Sequence, residues 1–455
     1  MRVSRITRRL AVPMAAAFAV TALGAGTAFA QDEPAVAGLD KDLSGVTIKM
    51  AAIGGSPYEA MFDTISEFEE ATGATVEIVF LGDGFQIDRY LKTNYAAGTV
   101  DFDVAWNHTS FMGAYENFVE DLNQYFTEEE LAAYSPGILE AATLNGALQL
   151  IPRHADVSAL WYRTDLFEDP DLQAGFEEAY GYPLAPPATL DEMYDMAEYL
   201  VGEGAVTYGT QFAGEEEALS GRFYELLFAN GGNYFDEDLN PIFDSEAGVL
   251  SATWMRDLYA NGLIPVDTTT HRWDSVNQNF CNGDVAFYLE WYGFYTPTQD
   301  PERCPAVAGK LGMARGPQGA GGVHTGWAGA HAMSIPKASE NKEAAAQLIK
   351  FLSSEAVQLD ETLKQGVLPV RADVSERAVA AAQGTDNPLD AERWDLANIQ
   401  ISEDFRTPPL FADWLSFSDQ WFPTLQSIIL GDVSVEEGLA KGVADAEELF
   451  DALGY

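Results

Sequence analysis

The side chains with chemistry to offer are 71 acids, five histidines, two cysteines and nine tryptophans. Their spacing assembles no familiar catalytic set. H-E-x-x-H is missing, as are G-x-S-x-G and the glycine-rich phosphate loop ending in Gly-Lys-Ser/Thr. His108, His154, His271, His324 and His331 are scattered, and no two have the spacing of ligands on one helix face. Asp236, Asp238 and Asn240 begin like a calcium loop. Pro241 stands where that loop needs glycine, and Ala247 where it needs a bidentate glutamate, so a hairpin turn is the better reading. Among so many carboxylates, pairs arise by chance, and no glycosidase acid/base couple can be picked out. No catalytic residue, metal site or cofactor is assigned.

The elements that must position these groups alternate. Residues 45–53 predict a strand, and Gly54-Gly55-Ser56-Pro57 a turn. Tyr58, Met61, Phe62, Ile65 and Phe68 have helical spacing, ended by Gly73. A second strand (75–81), a helix (85–97) and a short buried strand (102–106) follow, which implies a parallel α/β sheet. The next part reads as loop-rich, with short strands at 148–151 and 157–162 and a break at Pro183, Pro186 and Pro187. Thr189 caps a helix, with Glu192 completing a capping box. Further helices are predicted at 218–230, 245–261, 274–282, 340–352 and 354–365, and a mostly helical end at 374–383, 388–398, 411–429 and 434–452. No repeat period is present. No low-complexity linker divides the chain, so two lobes would require more than one crossing between them.

Composition is globular, with 47% hydrophobic and 21% charged residues. The formal charge of −46 makes nucleic acid and anionic membrane surfaces poor partners, because both are bound through Lys and Arg. Arg2, Arg5, Arg8 and Arg9, the apolar stretch 10–23 and Ala28-Phe29-Ala30 form a secretory signal peptide, residues 1–30, cleaved after Ala30. The apolar stretch is too short to span a bilayer. Arg8-Arg9 leaves both Sec and twin-arginine export open. In an oxidising compartment Cys281 and Cys304 are expected to form a disulfide, worth about 3 kcal/mol by chain entropy, with two buried thiols as the alternative.

Several phrases fall in a meaningful order: "EFEEATGATVEIV", "YLKTNYAAGTVDFDVAW", "NGALQLIPRHADVSALWYRTDLF", "PATLDEMYDMAEYL", "FYELLFANGGNYFDEDLNPIFDSEAG", "FCNGDVAFYLEWYG", "GWAGAHAMSIPKASENKEAAAQLIKFLSS" and "GVLPVRADV". Together they resemble the extracellular solute-binding proteins of ABC importers, in the sugar-binding group that includes maltose-binding protein. The resemblance spans essentially all of residues 45–452. It implies an α/β, two-lobed periplasmic-binding-protein fold (type II), each lobe a mostly parallel sheet flanked by helices, with the ligand cleft between. Lobe one would take 45–153 and 310–368; lobe two would take 154–309 and 369–455. It also implies a monomer in the periplasm, no enzymatic turnover, and delivery of a small solute to the importer's membrane permease.

On that reading a sugar needs an aromatic floor for its C–H faces and polar groups for its hydroxyls. Candidates are taken from strand ends and crossovers, where open α/β sheets bind ligands. The first turn offers Gly55, Ser56 and Tyr58, and the second Asp83 and Phe85. The end of the third strand offers Trp106, Asn107 and His108. The first crossover offers Arg153, His154 and Asp156. Glu290, Trp291 and Tyr292, then Gly326, Trp327 and His331, come from the second lobe and the return, and Arg371 from the last crossover. Arg153 and Asp156 could equally be a structural ion pair, Trp327 could be packing, and Asp83 a plain turn residue. Trp161, Trp254, Trp394 and Trp421 fit core positions better. A betaine, polyol or polyamine is the alternative solute, because an aromatic box beside acids also suits a cation; a secreted carbohydrate-active enzyme is the remote one.

Overall fold

The computed structural model describes residues 36–55, 58–383, 385 and 387–455; the expected signal peptide and Ser56 lie outside them. Strand β1 (Thr47–Ile53) alternates its side chains between two cores. Ile48, Met50 and Ala52 face one, and Ala51 and Ile53 the other, so the sheet is covered on both faces. Helix α1 (Glu59–Thr72), strand β2 (Thr75–Gly82), helix α2 (Gly84–Ala97) and strand β3 (Val104–His108) follow. Strand β1 pairs in parallel with both β2 and β3, as the alternation implied. Gly73 and Gly98 end the two helices in the left-handed region, at φ 75° and 66°.

Among the described residues the main sheet has eight strands. Its main path runs Leu368–Pro369, Ile151–Arg163, Ala328–Ser334, β3, β1, β2. The strand Ile151–Arg163 is shared. Its first half pairs with Ala328–Ser334, and its second half with Phe287–Trp291 and Leu311–Ala314, all antiparallel. The expectation of mostly parallel pairing therefore holds only around β1. Where two short strands were expected, one runs for 13 residues. Arg153, His154 and Asp156 interrupt the apolar pattern there, yet Arg153 and His154 are buried. The return strand Ala328–Ser334, AGAHAMS, was missed because small residues carry little strand signal. A helix at Pro170–Tyr180 stands inside the region read as loop. Asp169 caps it, Pro170 opens it and Gly181 closes it.

Cys281 and Cys304 are disulfide-bonded and tie the helix Trp273–Cys281 to the loop before Leu311. Asp236 accepts from the Asp238 and Asn240 N–H groups in a tight turn. Trp161, Trp394 and Trp421 are buried core residues. Among the described residues no helix is long and apolar enough to cross a membrane.

Candidate functional site

The register of the return strand builds the site. His331 pairs with His108 on one side and with His154 on the other. Paired residues share a sheet face, so three histidines distant in sequence stand in one row. Ring centroids are 5.0 Å from His331 to His108 and 4.4 Å to His154. Tyr58 and Trp106 join this cluster, at 5.3 and 5.4 Å from His331. Asp156, two residues beyond His154, stands 2.7 Å from His331 Nε2. Opposite Asp156 the register places Gly329. A Cβ there would lie 2.3 Å from His108 Cε1, so the ring occupies space that only glycine leaves.

The donors behind each ring fix its tautomer. Indole, guanidinium and backbone N–H groups only donate. Trp106 Nε1 donates to His331 Nδ1 at 3.1 Å. The Ser110 N–H donates to His108 Nδ1 at 3.2 Å. Arg153 Nη1 donates to His154 Nδ1 at 3.0 Å. Each Nδ1 therefore holds a lone pair, and each ring carries its proton on Nε2. Burial and neighbouring His331 hold His108 and His154 well below the usual histidine range, so both rings are neutral. Burial raises the Tyr58 hydroxyl, with Asp156 adding to it. Ligand atoms of His108, Asp156 and His331 lie within 4.8 Å of one another, close enough to hold a metal ion. A metal would need the nitrogen lone pairs that these bonds occupy with protons. The hydrogen bonding leaves each ring a donor at Nε2, and that of His331 faces the Asp156 carboxylate.

One step further along the same face, Ser158 pairs with Trp291. Trp291 meets Trp327 at 5.0 Å and Trp273 at 5.4 Å, both edge to face, and Trp273 lies 5.7 Å from Trp327. These rings form a wall. Trp327 is only 4% exposed, and its indole lies on Gly221, where a Cβ would come within 2.2 Å of the ring. The Trp327 backbone N–H, not its indole, donates to Glu225 Oε1 at 3.0 Å; Glu225 also accepts from Ser158 Oγ and pairs with Arg222. Glu290 is fully buried, and burial pushes its carboxyl up to about 8, with Asp156 adding and the Trp291 N–H opposing. Glu290 is therefore mostly a neutral acid at pH 7.

The structure brings together Tyr58, Trp106, His108, His154, Asp156 and His331, with Glu290, Trp291 and Trp327 alongside. The other candidates have protein partners. Asp83 caps α2 through the Phe85 and Gln86 N–H groups, and Phe85 packs 6.2 Å from Phe111. Asn107 is buried, and its Oδ1 accepts from the His108 N–H. Arg153 forms a buried ion pair with Glu361, not with Asp156. Tyr292 is fully buried and donates to Gln400 at 2.8 Å. Gly326 packs on Asp404, whose carbonyl a Cβ would meet at 2.4 Å. Arg371 pairs with Asp373 and covers the Tyr134 ring. Sequence reasoning missed Trp273, Gly329 and the Arg222–Glu225 pair. A tryptophan opening a helix and a glycine inside a strand were the signals available.

The description "bacterial extracellular solute-binding protein" matches residues 52–359. A Sinorhizobium fredii protein described as a probable amino-acid ABC transporter periplasmic-binding protein is 28% identical over 334 residues, 72% of this chain and 73% of the relative. Maltose-bound MalE3 of T. maritima has the same fold, with a TM-score of 0.77 at 27% identity over 89% of this chain and 100% of that one. The ribitol complex of an ABC transporter solute-binding protein from Agrobacterium radiobacter K84 gives 0.76 at 22% identity, over 90% and 100% of the two chains. The chain belongs to the bacterial extracellular solute-binding proteins and has their two-lobed α/β fold.

Proposed function

We propose that the protein binds a neutral, hydroxyl-rich solute, a sugar or polyol, and delivers it to the permease of an ABC importer after export to the periplasm. The observation that carries this is the tautomer lock. Three histidines keep their protons on Nε2, that of His331 against the Asp156 carboxylate, beside a tryptophan wall, and Glu290 keeps its proton. That lining matches hydroxyls, which both donate and accept, together with the C–H faces of a carbohydrate. It offers little to an anion, and less to a cation than its count of acids suggests. The maltose and ribitol complexes of the structural relatives agree with this class. We assign solute contact to Tyr58, Trp106, His108, Asp156, His331, Trp291 and Trp327, with Trp273 added. Lobe one would comprise 45–153 and 310–368, and lobe two 154–309 and 369–455, with the shared strand Ile151–Arg163 as one crossing. The protein acts as a monomer without turnover.

A melting-temperature screen of the mature protein against sugars, polyols, betaines, polyamines and amino acids tests the reading. Saturation at 100 times the dissociation constant adds about 2.7 kcal/mol to stability. A shift with sugars or polyols that Trp291→Ala cuts to about a third is the expected result. A shift confined to cations or amino acids would replace the proposed solute class.

A further inference from the structure

We propose that Arg272 is the clasp of a charge latch across the cleft rim, joining α2 of one lobe to two helices of the other. The inference rests on the lobe division proposed above and is independent of which solute binds. Arg272 directly precedes the helix Trp273–Cys281. Its Nε donates to Glu215 Oε2 at 2.7 Å, its Nη2 lies 2.9 Å from Glu216 Oε1, and its Nη1 lies 3.9 Å from Asp83 Oδ2. Glu216 opens the helix Glu216–Ala229, while Asp83 caps α2. From α2 itself, Arg89 reaches Glu216 at 3.6 Å. Signs therefore alternate along Asp83, Arg272, Glu216 and Arg89, and α2 supplies the first and last members.

Two further observations bear on this junction. Glu216 sits at φ 56°, a left-handed conformation that a side-chain-bearing residue keeps only where its surroundings enforce it. Asp419, on the helix Trp414–Leu430, is held above the usual carboxylate range by burial, and Lys92, Asp88 and Arg89 of α2 all act on it. The neighbour of Arg272 is Trp273, part of the tryptophan wall. Releasing the clasp would thus loosen the wall at its rim, which makes Arg272 a positioning residue rather than a solute contact. The latch side chains are 21–58% exposed, so salt reaches and weakens them.

The test is a distance measurement on the unliganded protein. Spin labels go on Thr93→Cys in α2 and Val266→Cys in the second lobe, both exposed; Cys281 and Cys304 are bonded to each other and do not compete for label. Pulsed dipolar spectroscopy then reads the open-to-closed ratio. Arg272→Gln is expected to raise that ratio about fivefold, Arg272→Lys to raise it less, and 0.5 M salt to open the wild type while leaving Arg272→Gln nearly unchanged. One distribution shared by wild type, variants and high salt would overturn the latch. Should Arg272→Gln fold poorly, Arg89→Gln and the wild-type salt series give the same reading. A solute screen without hits leaves this measurement intact, and an unchanged distance leaves solute binding intact.

Discussion

The histidine row and the tryptophan wall stand on one face of the same strand, with Asp156 and Ser158 only two residues apart, but they are held in different ways. In the row every ring has a donor locked onto Nδ1, and a missing Cβ at Gly329 makes space for His108. Geometry there is set by directional bonds of about 3 Å. In the wall the rings hold one another through contacts 5.0–5.7 Å apart, and of the three only Trp327 is seated in a buried site, with its indole on Gly221 and its backbone N–H on Glu225. The row is suited to choosing among hydroxyl patterns. The wall is suited to supplying affinity with little regard to pattern.

The largest effect should separate the anchored tryptophan from its free neighbour. Trp327→Ala empties a buried site on Gly221 and should cost about 3–5 kcal/mol of stability, read by denaturant unfolding. Trp291→Ala should leave the unfolding midpoint close to wild type. If the two variants unfold alike, the wall is one structural unit and the contrast between its members is lost.

Glu290 tests the join between the two regions. Its carboxyl is raised from 4.5 to about 8 in the folded protein. Below pH 4.5 both folded and unfolded chains keep the proton, and the group contributes nothing. As pH rises through 4.5 to 8 the unfolded chain ionises first, so stability falls, and it levels off above 8. Glu290→Gln should abolish this slope and leave the variant more stable at pH 9 by roughly 3–5 kcal/mol. Melting curves from pH 5 to 9 decide it: an unchanged slope would mean that Glu290 is ionised in the folded protein, and the neutral lining would be wrong.

These regions were unequally legible in the sequence. Trp291 and Trp327 could be picked out, because small or acidic neighbours mark an aromatic that is not ordinary core. Trp106, His108 and Asp156 could be listed as candidates from strand ends. Their assembly could not be read, since it depends on an antiparallel return strand, Ala328–Ser334, whose alanines and glycines give no strand pattern. The row follows from its register alone. Trp273 was hidden for a similar reason: at a helix start its spacing resembles core packing, and only the fold brings it to Trp291. Arg153, Tyr292 and Arg371 were chosen by position, yet their polar atoms are engaged by Glu361, Gln400 and Asp373. Residue type and location do not reveal whether a buried group is already satisfied. The helices past 340 were placed well because amphipathic spacing and caps are local.

Once a solute is in hand, Trp291→Ala should weaken it about thirtyfold, some 2 kcal/mol, as expected for a central aromatic contact. Calorimetry should show a similar loss for every sugar or polyol that binds. A loss confined to one of them would give the wall the selectivity assigned here to the row.

Gly329→Ala makes the smallest change and the sharpest test of the row. The new Cβ would stand 2.3 Å from His108 Cε1 and 2.6 Å from Nε2, distances at which something must move. The obstacle is a rigid ring on a strand, so His108 should shift and lose the Ser110 N–H. Without that donor its tautomer is no longer fixed. Nitrogen chemical shifts of His108 should then report mixed protonation sites, while His331, still held by Trp106, keeps its own pattern. Affinity should fall about tenfold, near 1.4 kcal/mol, with a larger loss for the preferred solute than for its stereoisomers. Tryptophan fluorescence from the wall should not move. A shifted His108 with undiminished affinity would remove that residue from the solute contacts and leave His331 and Asp156 to account for selectivity.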